Sequence, residues 1–212
     1  MKNLTQEDRA FALLQRRGMV RLSEFREQNI TAATLSRMIG KGLLLRLGRG
    51  LYQLADADLD AHHTLAEAAK LVPKGVICLV SALAYHDLTD TIPARIWMAI
   101  GSKDRRPSIA SIPMKFVRFR GKLLQSGVEE HLIEGVPVRI FSPAKTVVDL
   151  FRYRQSEGRR YKNSPGLNLA IEGLREAIRK RKASPSQIAV FAEDAGVWKI
   201  MRPYLETVMS DA

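Results

Sequence analysis

The chain has 212 residues, 46% of them hydrophobic, with a formal charge of +12 and a pI of about 10.1. That is enough apolar material for one or two domains with a real core, and a balance this basic favours a polyanionic partner over an acidic or neutral one. A single cysteine, Cys78, excludes an internal disulfide and a thiolate metal site, and no stretch is long and apolar enough to cross a bilayer, which sets a membrane partner aside.

Cys78 lies in the apolar run Val76-Ile77-Cys78-Leu79-Val80 and reads as a small buried hydrophobe. Without disulfides the chain suits a reducing compartment. The start, Met1 to Asp8, has no apolar segment of the kind a signal peptide needs. The expectation is a cytoplasmic protein. The positive charge is uneven: residues 1–54 hold ten Lys or Arg against four Asp or Glu, which is half of the net +12 in a quarter of the length. Such a concentration is the electrostatic footprint of a nucleic-acid-binding module.

In chain order, Thr5 is placed to cap a first helix, with Glu7 and Asp8 in its first turn. Leu4, Phe11, Leu13 and Leu14 give that helix an apolar stripe and Gly18 ends it. Val20-Arg21-Leu22 reads as a short extended link, and Ser23 as the cap of a short helix containing Phe25. Gln28-Asn29-Ile30 is a turn. Thr31 then caps a helix whose Leu35, Met38 and Ile39 fall on one inward face, with Gly40 and Gly42 at its end. Two apolar runs, 43–47 and 51–54, flank Gly48-Arg49-Gly50 and predict a β-hairpin. Helix, short helix, tight turn, helix and hairpin make a winged helix-turn-helix over residues 1–56.

In such a module the helix after the turn lies in the major groove. Wheel geometry places Ala33, Ser36, Arg37 and Lys41 outward, with Thr34 on the flank and Thr31 at the start. These are small, hydrogen-bonding or cationic groups, and none is acidic. Arg37 has the fork geometry that suits guanine, and Thr34 or Ser36 would reach a base or a phosphate. Arg46 and Arg49, on or beside the hairpin tip, would meet phosphates or enter the minor groove. Arg21 is a further candidate for phosphate contact, as are Arg16 and Arg17.

The acidic stretch Ala55 to Asp60 marks a boundary, and residues 57–212 read as a second, mixed α/β domain finished by helices. Helix is expected over 61–71, a turn at Pro73-Lys74-Gly75, and strand or buried helix over 76–80. Ser81 to Leu88 reads as helix, and 95–100 and 115–120 as strands. Residues 128–133 and 136–141 form a hairpin split at Glu134-Gly135. Ser142-Pro143 starts a helix as cap and first residue. A polar loop is expected over 156–166, followed by a helix whose stripe is Leu167, Ala170, Ile171, Leu174, Ala177 and Ile178. Ser184 and Gln187 form a capping box, Gly196 ends that helix, and Pro203 should kink or restart the last one.

Two groups of residues carry a resemblance to a known family. The first is Arg46-Leu47-Gly48-Arg49-Gly50-Leu51-Tyr52. The second comprises Ser81-Ala82-Leu83-Ala84-Tyr85-His86-Asp87-Leu88, Ile92-Pro93, and Ser142 to Tyr153. In their order and spacing the chain resembles the AbiEi-like antitoxins, the DNA-binding members of type IV toxin–antitoxin systems tied to abortive infection. The resemblance implies a sequence-specific repressor of its own operon that binds double-stranded DNA at its promoter, at inverted repeats and as a dimer. It also implies a nucleotidyltransferase-like toxin as functional partner, counteracted without a stable complex. In such proteins the C-terminal domain is associated with antitoxicity and with cooperative binding. Related proteins also occur as solitary regulators.

Catalytic patterns are weak by comparison, so no catalytic residue, cofactor or metal is expected. Gly101-Ser102 has the look of a nucleotidyltransferase turn, but only Asp104 follows where a pair of carboxylates is needed for magnesium. Asp87, Asp90, Glu129, Glu130, Asp149 and Lys145 are the acids and the lysine a nuclease would draw on. They lack an acid pair followed by carboxylate–x–lysine on one strand, and Lys145 with Asp149 reads as an i,i+4 ion pair. His62, His63, His86 and His131 have no zinc-ligand spacing. Arg175, Arg179, Lys180, Arg181 and Lys182 read equally as a solvated helix end or a second nucleic-acid contact.

Overall fold

The computed structural model describes residues 4–154 and 165–210. The loop expected over 156–166 falls outside these residues except at its end. The fold is α+β: an N-terminal winged helix-turn-helix followed by a mixed α/β region with terminal helices. Contacts divide the chain into two compact units. The first comprises Met1–Lys74, Pro107–Pro113 and His131–Val138; the second comprises Gly75–Arg106, Met114–Glu130 and Arg139–Ala212.

In the first unit α1 (Gln6–Arg17) opens on a complete capping box. The Thr5 backbone N–H donates to Asp8 Oδ2 at 3.0 Å, and Asp8 N–H donates to Thr5 Oγ1 at 3.2 Å. Both donors would otherwise be orphaned at a helix start. Gly18 ends α1 at φ +63°, a backbone that only glycine takes easily. In place of the link expected over 20–22 there is a strand, β1 (Met19–Arg21), whose partner is remote in sequence. α2 (Leu22–Glu27) begins one residue before the expected Ser23 cap. Glu24 decides this: its carboxylate accepts the Arg21 N–H at 2.7 Å and also holds Arg17 and Lys70. α3 (Ala32–Gly40) starts at Thr31 as expected.

β2 (Leu44–Gly48) and β3 (Leu51–Leu54) form the hairpin, with Arg49 and Gly50 as its two-residue turn and a bulge between Arg46 and Gly48. The sheet order is β1-β3-β2, all antiparallel. Ala10, Leu14, Phe25, Leu35, Met38, Leu44 and Tyr52 close a core between helices and sheet, and Phe25 packs edge-on against Tyr52 at 5.9 Å. α4 (His63–Leu71) completes the helices of this unit.

The second unit is built on a sheet ordered β6-β5-β4-β8-β7. The ambiguous run at 76–80 is both things at once: β4 (Val76–Ile77) and then α5 (Leu79–Tyr85), separated by Cys78. β5 (Ile96–Gly101) pairs antiparallel with β4 and parallel with β6 (Met114–Phe119). A single turn, α6 (Lys122–Gln125), which the sequence reading missed, precedes β7 (Val128–Ile133) and β8 (Val136–Phe141). β8 runs parallel to β4, with Ile77 opposite Ile140. The helices α7 (Pro143–Arg152), α8 (Leu167–Arg179), α9 (Pro185–Asp194) and α10 (Trp198–Ser210) follow. Pro203 lies inside α10 without restarting it. Gly173 lets α8 approach α5 so closely that a Cβ there would stand 2.7 Å from Leu83.

The Ser142 to Tyr153 string proves to be core. Val147, Val148, Leu150 and Phe151 are buried, and so are the polar Lys145, Thr146 and Asp149. Thr146 Oγ1 and His86 Nε2 both donate to the Phe141 carbonyl, at 3.1 and 2.8 Å. Lys145 and Asp149 form the expected ion pair, but wholly inside the protein.

Candidate nucleic-acid interface

Helix α3 presents Ala33, Ser36 and Arg37 to solvent, while Leu35 and Met38 are buried and Ile39 half-buried. No carboxylate stands on the exposed part of this helix. Arg37 is steadied at its tip, Nη2 donating to Thr34 Oγ1 at 3.2 Å. Its remaining N–H groups keep the fork available. Arg49 sits exposed in the hairpin turn with no hydrogen-bond or ion-pair partner among the described residues. Arg46 is exposed on β2, and its Nε donates to the Gly48 carbonyl at 3.3 Å.

Four of the sequence candidates are engaged by the protein itself. Thr34 is 1% exposed, not on an accessible flank, and its hydroxyl donates to Gln6 Oε1 at 2.7 Å. Arg21 directs its guanidinium at the carbonyls of Lys70 and Leu71, at 2.8 and 3.3 Å, so it straps the strand end to α4. Lys41 pairs with Glu7 at 2.8 Å while 55% of its side chain stays exposed, so its ammonium remains within reach of an outside anion. Arg17 is likewise held, by Glu24 at 2.7 Å.

Gln6 is the residue that sequence reasoning missed. Its Oε1 accepts from the Thr31 N–H at 3.0 Å, the Thr31 hydroxyl at 3.2 Å and the Thr34 hydroxyl. Thr31 in turn accepts the Thr34 N–H at 3.3 Å, as cap of α3. One amide on α1 therefore fixes the first turn of α3. No local signal reveals this, because the partners are 25 and 28 residues apart. Thr31→Ala should lower stability by about 1 kcal/mol, read by chemical denaturation. A loss below a few tenths would show that Gln6 alone suffices.

The alternative chemistries can be placed as well. Asp104 accepts the Gly101 N–H at 2.8 Å, so this carboxylate shapes the Gly101-Ser102 turn. His63 Nδ1 meets Glu134 Oε2 at 2.9 Å. Among the described residues, no three His, Cys, Asp or Glu side chains are placed to hold a metal ion, and no helix is long and apolar enough to cross a membrane.

Three helices on a three-stranded sheet, with a cationic exposed helix and an arginine in the hairpin turn, define the winged helix-turn-helix of transcriptional regulators. Residues 8–55, the helix-turn-helix and hairpin, match the family model described as transcriptional regulator, AbiEi antitoxin. Among solved structures, the chain is similar to the RV2827C protein from Mycobacterium tuberculosis, at 14% identity and a TM-score of 0.53, over 97% of this chain and 82% of that one. At that identity the likeness is one of fold. No curated protein matches the chain.

Proposed function

We propose that this protein is a sequence-specific DNA-binding antitoxin of a type IV toxin–antitoxin system, acting in the cytoplasm. It represses its own operon and counteracts a nucleotidyltransferase-like toxin encoded beside it, without a stable complex and without catalysis of its own. Residues 1–56 act as the DNA-binding domain and 57–212 as the antitoxin domain. The observation that carries the reading is the exposed, carboxylate-free face of α3, lying within a segment that matches an antitoxin regulator family.

The contact set follows from exposure. Arg37 reads a base, and Ala33 and Ser36 allow close approach. Thr31 marks the helix start, and Arg46, Arg49 and Lys41 face phosphates. A dimer on an inverted repeat is the expected form on the promoter. A mobility shift with the upstream region of the gene tests the core of this reading. Arg37→Ala should relax preference at one base pair by about 1–3 kcal/mol. Arg49→Ala should weaken all sequences evenly and lower the salt slope by about one. Retention of full binding by both variants would overturn the placement of the interface. Co-expression with the neighbouring gene tests the antitoxin part.

A solitary regulator is the second reading. The family match over residues 8–55, which hold the proposed DNA-binding helix and hairpin, fits it as well. Absence of a toxin gene beside this one decides for it.

A further inference from the structure

A second cationic surface of the first unit lies on α1. A cleft of about 300 Å³ is lined by Leu4, Arg9, Ala12, Leu13, Arg16 and Gln28. Its polar lining residues are Arg9, Arg16 and Gln28, and none of the lining residues is acidic. Arg9 and Arg16 are seven residues apart on α1, hence on one face and about 10 Å apart along the axis. Gln28 belongs to the turn that leads into the reading helix.

Three observations set these arginines apart from others of the module. Arg17 is paired with Glu24, and Arg21 is bonded to two carbonyls. Arg9 and Arg16 have no ion pair among the described residues. The acids of α1 are committed elsewhere: Asp8 to the Thr5 cap and Glu7 to Lys41. Arg9 Nε is shielded from solvent and has no hydrogen-bond partner among the described residues. A buried N–H left without an acceptor is destabilising, and a guanidinium fork is best satisfied by the paired oxygens of an oxyanion.

We propose that this cleft is a phosphate-oxyanion site, with Arg9 and Arg16 as its ligands and Gln28 as an amide donor at its edge. The phosphate is supplied by the backbone of a duplex engaged by α3. This deepens the DNA-binding reading and rests on it for the source of the phosphate, not for the site itself. A free phosphorylated small molecule offers the same chemistry from another source.

The test uses the full chain, the variant Arg9→Gln/Arg16→Gln, and a charge-matched control, Lys199→Gln/Arg202→Gln, on the exposed face of α10. Thermal unfolding first establishes that each variant folds. Binding to a labelled duplex from the upstream region and to a scrambled duplex is then followed over a salt series. The Arg9/Arg16 variant should lose about tenfold in affinity for both duplexes, with a salt slope smaller by about one, while the control is unchanged. In a second arm, millimolar inorganic phosphate is added and the unfolding temperature is read.

An unchanged slope with no response to phosphate overturns the site. An unchanged slope, together with a phosphate-induced rise in unfolding temperature that the Arg9/Arg16 variant lacks, overturns the DNA assignment and leaves a site for a free oxyanion. If wild type binds neither duplex yet responds to phosphate through these arginines, the regulator reading falls and the oxyanion site stands.

Discussion

Asp149→Ala is expected to destabilise the protein by about 3–5 kcal/mol, because it strands a buried lysine. The Lys145 ammonium and the Asp149 carboxylate are 1% and 0% exposed and pair with each other across one turn of α7. Around them stand Cys78, the Phe119 and Phe141 rings, and Arg152. The ring centroids lie 4.9 and 4.6 Å from the ammonium. Neither Asp149 Oδ1 nor Arg152 Nη1 has a hydrogen-bond partner among the described residues. The pair is thus internally matched but incompletely solvated by protein groups. Removing one partner should therefore be costly, while replacing both, as Lys145→Met with Asp149→Leu, should be neutral or stabilising. Urea denaturation of the two variants is the measurement. A loss under about 1 kcal/mol for Asp149→Ala would show that Lys145 finds another acceptor.

The same site gives a pH dependence. Burial pushes the Asp149 carboxyl up from 3.8 to about 6, against the opposing pull of Lys145 and, more weakly, of Arg152. Burial likewise lowers the Lys145 ammonium. For Asp149 the folded value lies above the unfolded one, so the folded chain holds this proton more firmly between about pH 4 and pH 6. Its stabilising effect is complete below that window and is lost as pH rises through it. Asp149→Asn should flatten that portion of the stability curve.

Gly18→Ala is the second change with a large expected cost, about 3 kcal/mol or more. Gly18 has φ +63°, and a Cβ built on it would stand 1.8 Å from the Glu134 carbonyl oxygen. Both residues belong to the first unit. The tip Glu134-Gly135 is seated against the end of α1 from its own side too, since a Cβ on Gly135 would be 3.1 Å from the Arg16 carbonyl. Glu134 then fastens the contact: its carboxylate accepts the Asp60 N–H at 2.7 Å and meets His63 Nδ1. Gly42 supplies the control, with φ +71° and nothing within 4 Å of its Cβ position. Gly42→Ala carries only the backbone penalty, about 1–2 kcal/mol. If thermal unfolding shows the two substitutions to be equal, the docking of the 134–135 tip on α1 is wrong.

Elements whose causes are local could be read from the residues alone. Thr5, Thr31, Ser142 and Ser184 each cap the helix they announce, because a side-chain oxygen three residues from an orphan N–H needs no distant help. The hairpins at 44–54 and 128–141 were legible from paired strand-like runs split by short glycine-containing turns. The outward placement of Ala33, Ser36 and Arg37 followed from helical periodicity.

Tertiary structure alone decided what depended on partners remote in the chain. Met19–Arg21 is a strand because β3 lies beside it, some thirty residues on. Thr34 is buried because Gln6 covers it, and Arg21 is a strap because α4 offers two carbonyls. The spacing of Lys145 and Asp149 predicted their pairing but not their burial. Helical periodicity fixes which side chains share a face, whereas a second and a third packed layer determine whether that face still meets water.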